Sequence, residues 1–171
     1  MEVQDVARLD VFLALLAIGW IDRRLDERER ALILRAALLE GLGPADLDRL
    51  AEAAHWPLSF EDLVPALQGL ESRYVYTLAS YVAFVDGDLD PTEDAALEAV
   101  AQVLGLGESE RRLLDDLAQH RAASGEDPAN FEPAALRTEI TRWCSVAAPP
   151  TPLPAFPRVV RRNGERVPAA W

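Results

Sequence analysis

The segment DRRLDERERALILRAALLEGLG (residues 22–43) returns 64 residues later as DGDLDPTEDAALEAVAQVLGLG (residues 86–107). Nine of the 22 aligned positions are identical, whereas chance would give roughly two identities. Each segment opens with an acidic turn and closes with Gly-Leu-Gly. The chain is therefore predicted to contain two helix–turn–helix–turn–helix units, at about residues 8–54 and 72–120.

Apolar periodicity predicts helices throughout the chain before residue 147. The stretches 31–39 and 95–104 are apolar at nearly every position, which is typical of helices at the centre of a bundle. Residues 133–144 form a further helical segment, and no stretch before residue 147 alternates like a strand. We predict an all-α fold, a pseudo-two-fold helical bundle of two three-helix repeats with about seven or eight helices. Helices 27–40 and 91–104 are expected to meet at its centre.

The composition changes at residue 147. Of the total charge of −12, residues 147–171 contribute +3 and residues 1–146 contribute −15, and six of the twelve prolines lie in the later segment. Prolines at such short intervals prevent a helix and favour an extended chain. Asn163-Gly164 is typical of a two-residue hairpin turn. We predict one helical domain over residues 1–146 and a Pro/Arg-rich extended tail over residues 147–171, compatible with a small hairpin at its end.

The charge and the apolar runs exclude several classes of protein. The chain has 17 arginines, no lysine and 29 acidic residues, so the phosphates of a nucleic acid would repel it. Its longest apolar run, Val11–Ile21, is too short to span a bilayer, and the residues before it lack the charge of a secretory signal. The single cysteine, Cys144, allows no internal disulfide. We expect a cytoplasmic protein that binds no nucleic acid and does not span a membrane.

The two acidic turns carry helix-capping signals. Asp26 and Glu29 stand at the start of one predicted helix, and Asp90 and Glu93 stand at the same places before the other. In such a capping box the Asp carboxylate accepts a bond from an N–H of the first turn, while the Glu accepts one from the N–H of the Asp. Capping does not explain the first acid of each segment, for which an Asx-type turn is one account.

A motif that occurs twice accompanies these turns. An apolar helix end is followed by Asp-Gly, an apolar position, an acid and then Glu seven residues after the Asp at residues 85–93, and without the glycine at residues 21–29. The pattern resembles the TerB-like family over about residues 8–122. The resemblance implies a helical interaction module and not an enzyme, associated with stress or tellurite resistance and with membrane-linked assemblies. It also implies a divalent-cation site made by the acids of both repeats.

The competing hypothesis for the acids is ligation of a hard cation such as calcium. Alternating acids at residues 86–90 resemble the first half of a calcium loop, but Leu97 stands where an EF-hand needs a bidentate Glu. Arg23 and Arg24 count against a metal, because their charges can neutralise the same carboxylates. The candidate metal ligands are Asp22, Glu29, Asp86, Asp88, Asp90 and Glu93.

The tail predicts a contact with a protein partner. The tail contains both apolar and arginine side chains but is too short to build its own core. Arginine and tryptophan are frequent hot spots of interfaces. The alternative is a disordered tail, or one that docks on the acidic domain. The candidate partner-binding residues are Phe156, Arg158, Val160, Arg161, Arg162 and Trp171.

Signatures of catalysis are weak in this sequence. It contains no nucleophile elbow, Ser-His-Asp order or Gly-rich phosphate loop, and His55 and His120 fall near helix ends, where the dipole favours an imidazolium. We predict a non-catalytic adaptor or accessory subunit of a larger assembly, with a membrane-associated assembly as one candidate. A divalent-cation sensor is the alternative, and a small hydrolase is a distant third.

Overall fold

The computed structural model describes residues 8–87 and 89–146. These residues form eight α-helices and two short 3-10 turns, at Val64–Leu67 and Pro128–Asn130, and they contain no strand. The all-α prediction is confirmed, as is the predicted number of helices. The predicted tail and its hairpin lie outside the described residues. The helices are α1 (Leu9–Gly19), α2 (Glu27–Leu39), α3 (Pro44–Ala53), α4 (Phe60–Leu63), α5 (Ser72–Phe84), α6 (Pro91–Leu104), α7 (Glu108–Ala123) and α8 (Pro133–Val146).

The helix starts follow the spacing of the repeated sequence. Helices α2 and α3 begin at Glu27 and Pro44, and helices α6 and α7 begin 64 residues later, at Pro91 and Glu108. Helix α6 is capped at its end by Gly105, whose φ of 72° is the left-handed conformation that glycine adopts without strain. The aligned Gly41 also has a positive φ, of 93°. The same local signals therefore begin and end the helices in both segments.

The centre of the bundle is formed by α1 and α5. In α5 every residue from Tyr74 to Ala83 is buried, and in α1 nearly every residue from Val11 to Gly19 is buried. Helix α1 packs against α2, α3, α4, α5 and α6, and against the turn at residues 64–67. A helix with neighbours on all sides needs apolar residues around its whole circumference. These two helices meet that requirement.

The expectation that helices 27–40 and 91–104 meet at the centre is wrong. Helix α2 packs on α1, α3, α5 and the turn at residues 128–130, whereas α6 packs on α1, α5 and the turn at residues 64–67. Near the end of α2, Leu38 and Leu39 remain 52% and 39% exposed. Leucine and alanine on an outer helix face are common in folded proteins, so apolar content alone does not place a helix at the centre.

Helices α5 and α7 make the most extensive helix–helix contact, and polar bonds support it. Tyr76 and Ser80 on α5 each donate a hydroxyl hydrogen bond to Asp115 on α7, at 2.8 and 2.6 Å. Arg111 on α7 donates to the Tyr76 hydroxyl at 3.1 Å. These two hydroxyls of α5 are therefore paired with a carboxylate, which avoids the cost of burying them alone. Helix α8 lies on both α5 and α7.

Candidate functional site

The acidic turns follow the two central helices. Asp22 lies just after α1 and Asp86 just after α5, and both residues are exposed. An oxygen of Asp22 accepts a bond from the backbone N–H of Arg24 at 2.8 Å. This is the Asx-type turn that the sequence suggested for the first acid of the segment. Each turn leads directly into the next helix, α2 or α6.

The residue after each of these acids adopts a left-handed conformation. Arg23 has a φ of 71° and the aligned Gly87 has a φ of 104°. Arg23 is the only residue other than glycine with a positive φ in residues 8–87 and 89–146. An L-residue with a side chain is strained in this region, whereas glycine is not. Both turns therefore have a left-handed residue at the same position, which is an arginine in the first turn and a glycine in the second.

Replacing Arg23 by glycine is expected to stabilise the protein. Relief of the left-handed strain should exceed the greater freedom of glycine in the unfolded chain and leave a net gain of about 0.5–1 kcal/mol. The measurement is chemical denaturation followed by circular dichroism. Arg24→Gly is the matched control, since it removes the same charge at a position without positive φ and should lower stability. A loss of stability in Arg23→Gly would contradict this account.

Both predicted capping boxes are present. At the start of α2, Asp26 accepts the N–H of Arg28 at 2.7 Å, and the Asp26 N–H donates to Glu29 at 2.6 Å. At the start of α6, Asp90 accepts the N–H of Thr92 at 2.7 Å, and the Asp90 N–H donates to Glu93 at 2.8 Å. The Thr92 hydroxyl and N–H also lower the pKa of Asp90. The four acids thus satisfy helix N–H groups that otherwise have no partner.

Loss of such a cap should destabilise the domain. Asp26→Ala is expected to cost about 1 kcal/mol, which is typical of a lost N-cap carboxylate. Asp90→Ala should also destabilise the domain and lower its melting temperature. Asp48→Ala is the control, because Asp48 is an exposed acid within α3 and its loss changes the charge equally. Unchanged melting of Asp26→Ala and Asp90→Ala, together with loss of cation binding, would show that ligation and not capping is their main role.

The two capping glutamates are buried, which is unusual for a carboxylate. Glu29 is 2% exposed and Glu93 is 5% exposed. Burial, followed by repulsion from Asp86, Glu93 and Asp22, raises the pKa of Glu29 to about 8, although the Asp26 N–H opposes the shift. Burial, followed by repulsion from Asp86, Asp22 and Asp90, raises the pKa of Glu93 to about 7, against the opposing Asp90 N–H.

Besides burial, the charges of Asp86 and Asp22 raise the pKa of both glutamates, so the structure brings acids of both turns together. We call Asp22, Glu29, Asp86 and Glu93 the acidic cluster. It stands where α1 and α5 end and where α2 and α6 begin. Gly19 adjoins it, because a Cβ atom at Gly19 would lie 3.4 Å from a carboxylate oxygen of Glu29. Gly19 was not predicted as part of this site, although a glycine within an apolar helix is a signal of close approach.

The acidic cluster does not form a ready-made metal site. Among residues 8–87 and 89–146, no group of three or more His, Cys, Asp or Glu side chains is arranged to hold a metal ion. One carboxylate oxygen of Glu29 and one of Glu93 already accept a helix N–H. Asp90 faces its own helix start, and Asp88 lies outside the described residues. The hypothetical cation site is therefore not preformed by the residues that the structure describes.

Three further side chains are distant from these turns in the sequence. His120 is in the last turn of α7, as expected, and its ring lies 5.6 Å from the ring of Trp143. Cys144 is only partly buried and lines a cleft between α5 and α8. Trp56 is 68% exposed, beyond the end of α3. The candidate partner-binding residues of the tail lie outside the described part of the chain.

Comparison with protein-family models, curated proteins and solved structures finds no match to this chain. In the part of the chain that the structure describes, no helix is both long and apolar enough to cross a membrane.

Proposed function

We propose that this chain is a non-catalytic adaptor or accessory subunit, related to the TerB-like family, that contacts a protein partner in a larger assembly. The observation that carries the proposal is the exposure of Trp56, at 68% of its surface. Tryptophan is a costly residue to leave in water and is enriched in the hot spots of interfaces. Leu38 and Leu39 add further apolar surface to the helical body.

The adaptor is built, in this proposal, from two repeats related by a pseudo-two-fold axis. Helices α1, α2 and α3 would correspond to α5, α6 and α7. Three observations support the correspondence, namely the repeated sequence, the equal spacing of the helix starts and the presence of a capping box in both acidic turns. Helix α8 and the tail would then be additions outside the duplicated body.

The tail is expected to carry part of the partner contact. Deleting residues 147–171 should leave the helical signal and the melting temperature nearly unchanged while it weakens partner association. Trp171→Ala should reproduce part of the loss, since an aromatic anchor is often worth about 2 kcal/mol or more at an interface. The measurement is affinity capture of the full chain with mass spectrometry, followed by binding titrations with the captured partner.

Trp56→Ala tests the helical body in the same assay, with Arg112→Ala as a control at an exposed surface ion pair. Partner loss in Trp56→Ala alone would place the interface on the helical body and not on the tail. Unfolding of the truncated protein would instead show that the tail packs on its own domain. Full affinity in the truncation, in Trp171→Ala and in Trp56→Ala would contradict the proposed contacts.

The second candidate function is a divalent-cation sensor. The observation that favours it is the acidic cluster, in which carboxylates from both repeats repel one another. A hard cation such as calcium relieves the repulsion between carboxylates that stand close together. Since the cluster is not a preformed site, a sensor would require the two acidic turns to move toward a common centre.

Calorimetric titration with calcium separates the two functions. A sensor should bind calcium at micromolar concentration, and Asp86→Asn should abolish the binding. Glu98→Gln, at an exposed position of α6, is the control and should leave binding unchanged. Absence of binding in the wild-type chain would remove the sensor and leave the adaptor.

A further inference from the structure

Helix α8 is attached to the bundle through a narrow apolar stripe. Leu136 and Ile140 are buried, and Trp143 and Cys144 are partly buried. These positions recur at the spacing of one face of an amphipathic helix. Open clefts of about 380 and 270 Å³ flank α8, one beside α5 and one beside α7. The contact is therefore confined to a thin line of side chains.

Two charged side chains of α8, both between Leu136 and Ile140 in the sequence, complement charges on the body. Arg137 donates to Glu40 at 2.8 Å and to Glu71 at 2.9 Å, and its guanidinium carbon lies 3.7 Å from the centre of the Tyr74 ring. Glu139 accepts a bond from Arg121 of α7 at 2.7 Å. The body thus presents two acids to Arg137 of α8 and an arginine to Glu139 of α8.

The arginine of the body is also held by residues outside α8. The Arg121 guanidinium lies 5.6 Å from the ring of Tyr81 and 5.7 Å from that of Phe131. It also donates to Glu126 at 2.9 Å. A cation fixed in this way remains positioned for a carboxylate when α8 is absent, which lowers the entropy cost of binding a ligand.

The polar contacts beneath α8 are incomplete. The Nε atom of Arg121 is buried without a hydrogen-bond partner. The Tyr74 hydroxyl lies beside the Glu40 carboxylate without a well-formed hydrogen bond. Buried polar groups in this condition oppose the docking of the helix that covers them. Together with the thin apolar stripe, they weaken the attachment of α8 to the rest of the fold.

We propose that the surface of α5 and α7 beneath α8 is a helix-binding groove, which α8 fills from within the same chain. Its external ligand is an amphipathic helix of a partner protein with the pattern of α8. That pattern has apolar residues at the places of Leu136, Ile140 and Trp143, an arginine after the first and a glutamate before the second. Binding of an amphipathic helix along an apolar groove is a common mode of recognition. This inference goes beyond the adaptor function, because it holds whether or not the tail binds a partner.

Hydrogen exchange with mass spectrometry on the full chain tests the displacement of α8. Amides of α8 are expected to exchange about 100-fold faster than those of α5, because they open without unfolding of the core. Raising sodium chloride from about 50 mM to about 0.5 M should accelerate exchange in α8 and leave α5 unchanged, since salt screens the ion pairs of Arg137 and Glu139. Arg137→Gln should act like salt. Arg112→Gln, at an exposed ion pair of α7, is the control and should have no effect.

A synthetic peptide tests the groove itself. The probe is residues 132–146 with Cys144→Ser, and a scrambled peptide of the same composition is the control. The probe should accelerate exchange in α8 of the full chain, and it should bind Arg137→Gln about 10-fold more tightly than wild type, because the internal competitor is weakened. Exchange of α8 in step with α5 at both salt concentrations would overturn the proposal. So would failure of the peptide to bind either chain, or peptide binding that leaves α8 protected.

Discussion

Residues 1–70 produced without the rest of the chain are expected to be unfolded or to self-associate. The fragment retains α1, whose side chains from Val11 to Gly19 are nearly all buried in the whole protein. In that protein α5 and α6 provide part of its cover. Exposure of a large apolar side chain costs about 2 kcal/mol. Losing cover on three of them would thus approach the total stability of a domain, about 5–15 kcal/mol.

The measurement compares thermal melting by circular dichroism and size by chromatography. Residues 1–146 serve as the control and should melt in one cooperative step as a monomer, because both central helices are then present. A monomeric fragment of residues 1–70 with its own cooperative melting transition would show that the first repeat folds alone. That result would contradict the single shared core around α1 and α5.

The free energy of unfolding is expected to fall as the pH rises from about 5 to about 9. In the folded protein the pKa of Glu29 is raised to about 8 and that of Glu93 to about 7, from an ordinary value of 4.5. The folded state therefore holds protons that the unfolded chain releases above about pH 4.5. The stability that these protons provide is complete below that pH and is lost as the pH passes 7 and then 8. Each of the two carboxyl groups accounts for a loss of at most about 1.4 kcal/mol per pH unit between about pH 4.5 and its folded-state pKa.

Urea denaturation at a series of pH values measures this dependence. Glu29→Gln should flatten it and raise stability at pH about 8, because the carboxamide oxygen still accepts the Asp26 N–H but carries no charge. Glu98→Gln removes a charge from an exposed position of α6 and should leave the slope unchanged. A stability that rises from pH 5 to pH 9 in the wild-type chain would mean that both glutamates are ionised in the folded state at little cost.

The starts of α2 and α6 and the identity of the acids could be predicted because the signals are local. An Asp followed three residues later by Glu forms a capping box from its own turn, so sequence spacing was enough to find both boxes. The acids of the cluster were also named from the repeat. Their burial, and the repulsion between Glu29 and Asp86, could not be predicted, since these depend on how α1, α2, α5 and α6 pack.

The helices, the caps of α2 and α6 and the two equivalent acidic turns follow from local signals, because hydrogen bonds and side-chain contacts three or four residues apart set these features. Which helices are central depends instead on long-range packing. The apolar stretches 31–39 and 95–104 gave the wrong answer, whereas α1 and α5 hold the centre because neighbours cover every face of them. The place of α8 was decided in the same way, by Glu40, Glu71 and Arg121, which lie far from it in the sequence but beside it in space.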